Sequence, residues 1–142
     1  MTLKQRAEIA NEVPNAILVS VHLNASKDAG ERGFETMCLS PLSPQDDPLQ
    51  SGFEEPRQAK GRRLANEVQE ALDKAVGDVS PSRGVRGAGF HILRESNGPA
   101  VLVEAGYLTN SDDAALLKDE SHLDKVAGGI AAGIDAFAQA AE

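Results

Sequence analysis

The segment "AILVSVH" at residues 16–22 decides the fold class of this chain of 142 residues. It is a short, almost continuous apolar run rich in β-branched residues, which is typical of a strand covered on both faces of an α/β sheet. The run "AVLVEAGY" at residues 100–107 has the same character, and "FETMCL" at 34–39 alternates between two faces. We predict strands at these three runs and a further strand at "GFHILR", residues 89–94.

Helix signals alternate with these strands. Thr2 is the predicted N-cap of a helix that ends near Asn11, and Pro56 begins a long amphipathic helix. Ser111 begins a short helix with acidic residues in its first turn, and Ser121 caps the last helix as part of a capping pattern. The apolar stripe predicted for that last helix consists of Leu123, Val126, Ala127, Ile130, Ile134 and Phe137. The alternation predicts an α/β fold in three layers, with helices packed on a largely parallel twisted sheet.

The composition excludes several classes of protein. With 22 acidic and 14 basic residues the formal charge is -8, which argues against nucleic acid as a partner. No apolar stretch approaches the roughly 20 residues of a membrane span, and the first residues lack the apolar core of a signal peptide. The single cysteine, Cys38, is predicted to be a buried apolar residue. Residues 40–55, rich in proline, serine and aspartate, predict a long mobile loop beside the substrate groove.

Two of the predicted strands end in a residue that can do chemistry, His22 in the first and Glu104 in the last. In open α/β sheets ligands bind at the carboxyl ends of the strands, so both side chains would face one crevice if these strands are parallel neighbours. Neutral imidazole binds zinc, and a carboxylate can take a proton from a metal-bound water. The alternative is structural, with a buried histidine bonded to backbone and a glutamate paired with an arginine.

The remaining candidates are weaker. His91 is predicted to lie within a strand and His122 in the first turn of the last helix, as a solvated surface residue; neither has ligand spacing to His22. The stretch "RGVRG" places Arg83 and Arg86 between glycines in an acidic chain, which suits a substrate with carboxylates or, alternatively, a solvated loop.

Five blocks in order, "LKQRAEIAN", "ILVSVHLNAS", "GFET", "RGVRGAGFHILR" and "PAVLVEAGYLTN", resemble the zinc-dependent N-acetylmuramoyl-L-alanine amidases of bacterial cell walls. The resemblance covers nearly the whole chain. It implies Zn²⁺ as cofactor, with His22 as a zinc ligand and Glu104 as the catalytic base. It also implies peptidoglycan as the partner and the bond between N-acetylmuramic acid and L-alanine as the one cleaved. Asn24 would bind the substrate or brace the histidine, and the two arginines would meet carboxylates of the stem peptide.

The same resemblance implies that part of the family's site is not in this sequence. Family members carry an upstream strand ending in a "D-P-G-H-G"-like block with the first zinc histidine, and then a helix with a glutamate ligand. We therefore interpret residues 1–142 as the C-terminal portion of an amidase catalytic domain, N-terminally truncated, with doubtful activity. The family implies a periplasmic, extracellular or cell-wall location. The alternative is a non-catalytic remnant or peptidoglycan-binding module with the amidase fold.

Overall fold

The computed structural model describes residues 1–40 and 56–140. The predicted loop at 40–55 therefore falls almost entirely outside the described residues. The elements, in chain order, are α1 (Leu3–Asn11), β1 (Leu18–Asn24), β2 (Phe34–Leu39), α2 (Pro56–Val76), β3 (Ser82–Ala88), α3 (His91–Arg94), β4 (Ala100–Tyr107), α4 (Ser111–Leu116) and α5 (Glu120–Gln139). No helix within these ranges is long and apolar enough to cross a membrane.

The four strands of the described residues form one sheet in the order β1-β4-β2-β3. The β1–β4 and β2–β3 pairs are parallel, and the central β4–β2 pair is antiparallel. The predicted α/β class with a largely parallel sheet is confirmed. The antiparallel step brings the carboxyl end of β4 beside the start of β2.

Helices cover both faces of the sheet, as predicted for three layers. On one face α2 and α5 pack over the larger core, which includes Phe34, Cys38, Leu64, Val68, Leu72, Val101, Val103, Ile130 and Phe137. On the other face α1 and α3 cover a smaller core of Ala7, Ile92, Leu93, Ala100 and Leu102. This smaller core covers the start of β4 and leaves the second half of the strand for polar side chains.

The helix starts follow the sequence signals closely in α1, α2 and α4. Thr2 accepts a hydrogen bond from the Gln5 backbone N–H, and the Gln5 side chain bonds back to Thr2, which completes a capping box. Asn110 caps α4 by accepting bonds from two N–H groups of its first turn. These confirmed boundaries depend on local chemistry that the sequence shows directly.

The prediction for the third strand was wrong. The strand lies at residues 82–88, whereas residues 89–94 contain the single helical turn His91–Arg94. Gly84 has φ +79° and lies where the register between β2 and β3 shifts, so apolar alternation is broken along this strand. The helix His91–Arg94 has only four residues, which is too short to show a 3.6-residue period in the sequence.

Three predicted exposures were also wrong. His122 is buried rather than solvated, while Leu123 and Ala127, both placed in the apolar stripe, are exposed. The buried stripe of α5 begins at His122, one residue earlier than predicted, and continues through Val126, Gly129, Ile130, Gly133 and Phe137. The N-cap also differs from the prediction, because Asp119, not Ser121, caps the helix and its side chain accepts from the Ser121 N–H.

Strand β1 is only half-buried, although its apolar sequence predicted cover on both faces. It lies at the edge of the described sheet, with Val21 55% and Leu23 46% exposed. An edge strand has a partner on one side only, so an apolar run alone does not establish a central position.

Candidate active site

A row of three side chains crosses the sheet near the carboxyl end of β1. His22 of β1 pairs in register with Glu104 of β4, and Glu104 pairs with Glu35 of β2. Residues paired in register project from the same face of a sheet, so one imidazole and two carboxylates share a face. It is the face that α1 and α3 cover over the smaller core, beyond which this polar row begins.

His22 is half-buried and has a close polar neighbour on its own strand. The Ser20 hydroxyl lies 2.8 Å from His22 Nε2, as expected for side chains two residues apart on one face of a strand. This contact restrains the His22 ring, because it holds Nε2 at the Ser20 hydroxyl. The restrained ring belongs to the residue that pairs with Glu104.

Glu104 is half-buried, and its Oε2 atom is buried with no hydrogen-bond partner among the described residues. Burial raises the pKa of this carboxyl, and the nearby charge of Glu35 raises it further. A carboxylate with a raised pKa is suited to take up a proton and give it back. The structure thus provides Glu104 with the environment of an acid–base group.

Glu35 is the most connected residue of the row. It is buried, and its Oε2 forms ion pairs with Arg86 Nε at 2.8 Å and Arg83 Nε at 3.6 Å. Its Oε1 accepts long hydrogen bonds from Asn24 Nδ2 and the Tyr107 hydroxyl, each at 3.4 Å. Burial raises the pKa of Tyr107, and the Glu35 charge adds to that rise. Glu35 therefore links Asn24 and both arginines to the row.

The glycine between the two arginines explains how they reach one carboxylate. Arg83 and Arg86 are three residues apart, and in a regular strand such residues point to opposite faces. The register shift at Gly84 inserts an extra residue opposite β2, which returns both side chains to the face of Glu35. The "RGVRG" stretch is thus part of a strand with a local irregularity, in place of a solvated loop.

A buried carboxylate behind the row fixes the ends of these strands. Asp113 of α4 accepts hydrogen bonds from the backbone N–H groups of Gly33 at 2.8 Å and Tyr107 at 2.9 Å. It also forms an ion pair with Arg32 at 3.2 Å. Asp113 therefore connects the residue before β2 to the end of β4, the two strands that bear Glu35 and Glu104.

The other two histidines lie in helices, outside the three strands that carry the row. His91 begins α3 and His122 lies in α5, which packs over the opposite face of the sheet. Within residues 1–40 and 56–140 no group of three or more His, Cys, Asp or Glu side chains is placed to hold a metal ion. His22 is thus a single candidate ligand in the described structure, and the described residues by themselves do not fit a catalytic zinc site, which usually has three protein ligands.

The profile of the N-acetylmuramoyl-L-alanine amidase family matches residues 1–136. The chain belongs to this amidase family. It is 32% identical to the uncharacterized protein YqiI of Bacillus subtilis (strain 168), over 96% of this chain and 58% of that protein. It is 31% identical to the N-acetylmuramoyl-L-alanine amidase LytC of the same organism, over 91% of this chain and 23% of LytC.

Solved structures of amidases share the fold of this amidase-family chain. The catalytic domain of the amidase CwlV from Bacillus (Paenibacillus) polymyxa var. colistinus matches with a TM-score of 0.80 and 32% identity, over 98% of this chain and 66% of CwlV. The chain therefore spans between about a quarter and two thirds of the length of these three proteins. The family resemblance predicted from the sequence blocks is confirmed.

Sequence reasoning missed Tyr107 and Asp113 as members of the site, and it did not place Glu35 beside Glu104. One signal for Glu35 was present: it is a charged residue inside the otherwise apolar and neutral run "FETMCL", with two arginines later in an acidic chain. A carboxylate buried in a strand requires cationic or donor partners. Which residues become the partners of Glu35 depends on strand order, and the local sequence does not carry that information.

Proposed function

We propose that this chain is the C-terminal portion of an amidase catalytic domain that hydrolyses the amide between N-acetylmuramic acid and L-alanine in peptidoglycan. The observation that carries the proposal is the registered pair of His22 and Glu104, with a buried Glu104 oxygen that has no hydrogen-bond partner among the described residues. Family membership supports the same reaction. With this substrate the protein would act in the periplasm, outside the cell or at the cell wall.

Glu104 is the proposed acid–base group of this reaction. Amide hydrolysis requires removal of a proton from the attacking water and delivery of a proton to the leaving amine. Glu104 Oε2 would accept the first proton, and the protonated carboxyl, favoured by burial, would donate it to the amine nitrogen. Glu35 would stay paired with Arg83 and Arg86, so the two carboxylates would divide the roles.

Zn²⁺ is the proposed cofactor, with His22 as one ligand. Because the described residues supply this imidazole without two further ligands, a complete zinc site would need groups from outside the described structure. We therefore expect weak zinc binding and slow hydrolysis by the chain itself.

Asn24, Arg83 and Arg86 are the proposed substrate-binding residues. Asn24 lies near the end of β1 and shares the Glu35 carboxylate with both arginines. Together they would place cationic and amide donors beside Glu104, where an anionic peptide needs them.

The second candidate function is a non-catalytic module that binds peptidoglycan through the same face. The incomplete ligand set among the described residues favours it. Only the hydrolase would release peptides with a free L-alanine amino terminus, so this product distinguishes the two functions.

The test is a prolonged digestion of purified peptidoglycan with added Zn²⁺, followed by mass spectrometry of the soluble muropeptides. We expect slow release of peptides with an L-alanine amino terminus, abolished in Glu104→Gln and unchanged in the exposed control Glu12→Gln. Binding to peptidoglycan in a pelleting assay without any release would support the binding module instead. Equal release by Glu104→Gln would show that Glu104 is not the base.

A further inference from the structure

A cavity of about 570 Å³ lies at the opposite end of β1 and β4 from the His22–Glu104 row. Its wall includes Ile17, just before β1, and Pro99, just before β4. Because Ile17 is five residues before His22 along an extended chain, the cavity is roughly 16 Å from the row. Sites that bind small molecules have volumes of about 300–1,000 Å³. The cavity is therefore separate from the proposed active site and large enough for a ligand of its own.

The charged side chains in the wall of this cavity are cations. Among the described residues that line it, the only charged ones are Arg57, Lys60 and Arg63. The chain as a whole is acidic, with 22 acidic and 14 basic residues, so this grouping of positive charge is local. The three cations are spaced three residues apart on α2 and therefore occupy about a third of its circumference. This cationic cavity favours an anion.

Two of the three cations lack a polar partner within residues 1–40 and 56–140. Lys60 is exposed and forms no hydrogen bond or ion pair there. Arg63 is half-buried, and its Nε is buried without a hydrogen-bond partner. Its guanidinium lies 4.5 Å from the centre of the Phe137 ring, which also lines the cavity. A buried donor without an acceptor is costly, so an anion beside Arg63 would satisfy a need that the described structure leaves open.

Arg57, by contrast, has a structural role in the wall. Its Nη1 donates to the backbone carbonyls of Arg94 and Ser96, in the turn before β4. Asn11 at the end of α1 holds the same turn, because its side chain accepts a hydrogen bond from the Asn97 N–H at 2.8 Å. These contacts connect α1, α2 and the turn around the cavity. The site is thus preformed, and a ligand would bind with little reorganisation of the protein.

The remainder of the wall is largely apolar and indicates the second part of the ligand. It includes Val13, Ile17, Pro99 and Phe137. An alkyl chain would remove this surface from water, whereas a bare inorganic anion would not. A phosphate monoester carries a charge of about -1.5 to -2 at pH 7 and has three acceptor oxygens. Its charge therefore matches that of the two cations without a polar partner.

We propose that the cationic cavity binds a small phosphate monoester that carries an apolar group. The phosphate lies at Lys60 and Arg63. The apolar group lies against Ile17 and the wall that Phe137 forms. The site shares no residue with the catalytic row, so its occupancy does not depend on the proposed hydrolysis.

The test is an NMR titration of the chain with hexyl phosphate, with inorganic phosphate and hexanol as partial ligands. We expect hexyl phosphate to bind about tenfold more tightly than either, because only hexyl phosphate contacts both parts of the wall. Hexyltrimethylammonium, which has the same alkyl chain and the opposite charge, should not bind. Equal affinities for hexyl phosphate and hexanol would overturn the inference.

Single substitutions test the two cations. Lys60→Gln should weaken the binding of hexyl phosphate about threefold, since solvent screens an exposed charge, and Arg63→Gln should weaken it about tenfold. The matched control is Lys125→Gln, which removes one exposed positive charge roughly 18 Å from Phe137 along α5 and should leave the affinity unchanged. Unchanged affinity in Lys60→Gln would overturn the inference even if Arg63→Gln failed to fold.

Phosphate monoesters with an apolar group exist both as soluble compounds and as the headgroup of phosphatidic acid. Sedimentation with phosphatidic acid vesicles, against phosphatidylcholine vesicles as the control, distinguishes these two sources. Co-sedimentation that Lys60→Gln weakens would support the site and identify a lipid headgroup as its ligand. Binding of hexyl phosphate without co-sedimentation would support the site and identify a soluble ligand. Co-sedimentation without any binding of hexyl phosphate would overturn the assignment to the cavity.

Discussion

Two glycines of α5 should respond in opposite directions to the same substitution. A Cβ added at Gly133 would lie 2.5 Å from the Val68 Cα, 2.8 Å from its nitrogen and 2.9 Å from the Glu67 carbonyl oxygen. These are backbone atoms of α2, so the two helices would have to separate. A Cβ added at Gly128, by contrast, meets nothing within 4 Å.

The magnitudes follow from packing and helix propensity. Alanine in place of glycine inside a helix gains about 1 kcal/mol, and overpacking a closely packed contact costs about 1–3 kcal/mol. Because three backbone contacts are violated, the upper value applies, and Gly133→Ala should lower the free energy of unfolding by about 2 kcal/mol. Gly128→Ala should raise it by about 1 kcal/mol.

Thermal and urea unfolding followed by circular dichroism measure both changes. At roughly 3–4 °C per kcal/mol for a chain of this size, the Tm should fall by about 6–8 °C in Gly133→Ala and rise by about 3 °C in Gly128→Ala. If Gly133→Ala were as stable as Gly128→Ala, the close contact between α2 and α5 would be refuted, and with it the packing that supports the sheet under His22 and Glu104.

Three further predictions concern single side chains. Because the folded structure raises the pKa of Glu104, ionisation of this carboxyl at higher pH lowers the stability of the fold. In metal-free protein Glu104→Gln should therefore raise the Tm at neutral pH, and the gain should vanish well below the ordinary pKa of 4.5. A gain in Tm that is independent of pH would contradict this prediction. Asp113→Ala should cost about 3 kcal/mol in urea unfolding, against less than about 1 kcal/mol for Asp112→Ala, whose exposed carboxylate pairs with the same Arg32. Burial raises the pKa of Cys38, so a thiol reagent should react slowly with the folded chain and rapidly in denaturant; equal rates would refute its burial.

The parts of the fold that the sequence predicted are those set by local chemistry. The capping box at Thr2, the amphipathic pattern of α2 and the β-branched run before His22 each act within a few residues. The strand at residues 82–88 was missed because the irregularity at Gly84 removes the alternation that identifies a strand. Its formation depends on pairing with β2, which is distant in sequence.

In the candidate site, too, local features could be predicted and features set by long-range pairing could not. The side-by-side arrangement of His22 and Glu104 could be anticipated, since each ends an apolar run and parallel strands place such ends together. The link through Glu35 could not, because it requires β2 to run antiparallel beside β4 and requires Gly84 to turn both arginines toward one carboxylate. Long-range pairing therefore decided which charges meet.

The central claim is that His22 and Glu104 divide the roles of metal ligand and base, and a Zn²⁺ titration by calorimetry tests it most directly. The unmodified chain should bind Zn²⁺ weakly, His22→Ala should abolish that binding, and Glu104→Gln and the matched control His91→Gln should leave it unchanged. Tight binding that survives in His22→Ala, or that is lost in His91→Gln, would contradict the assignment of the site.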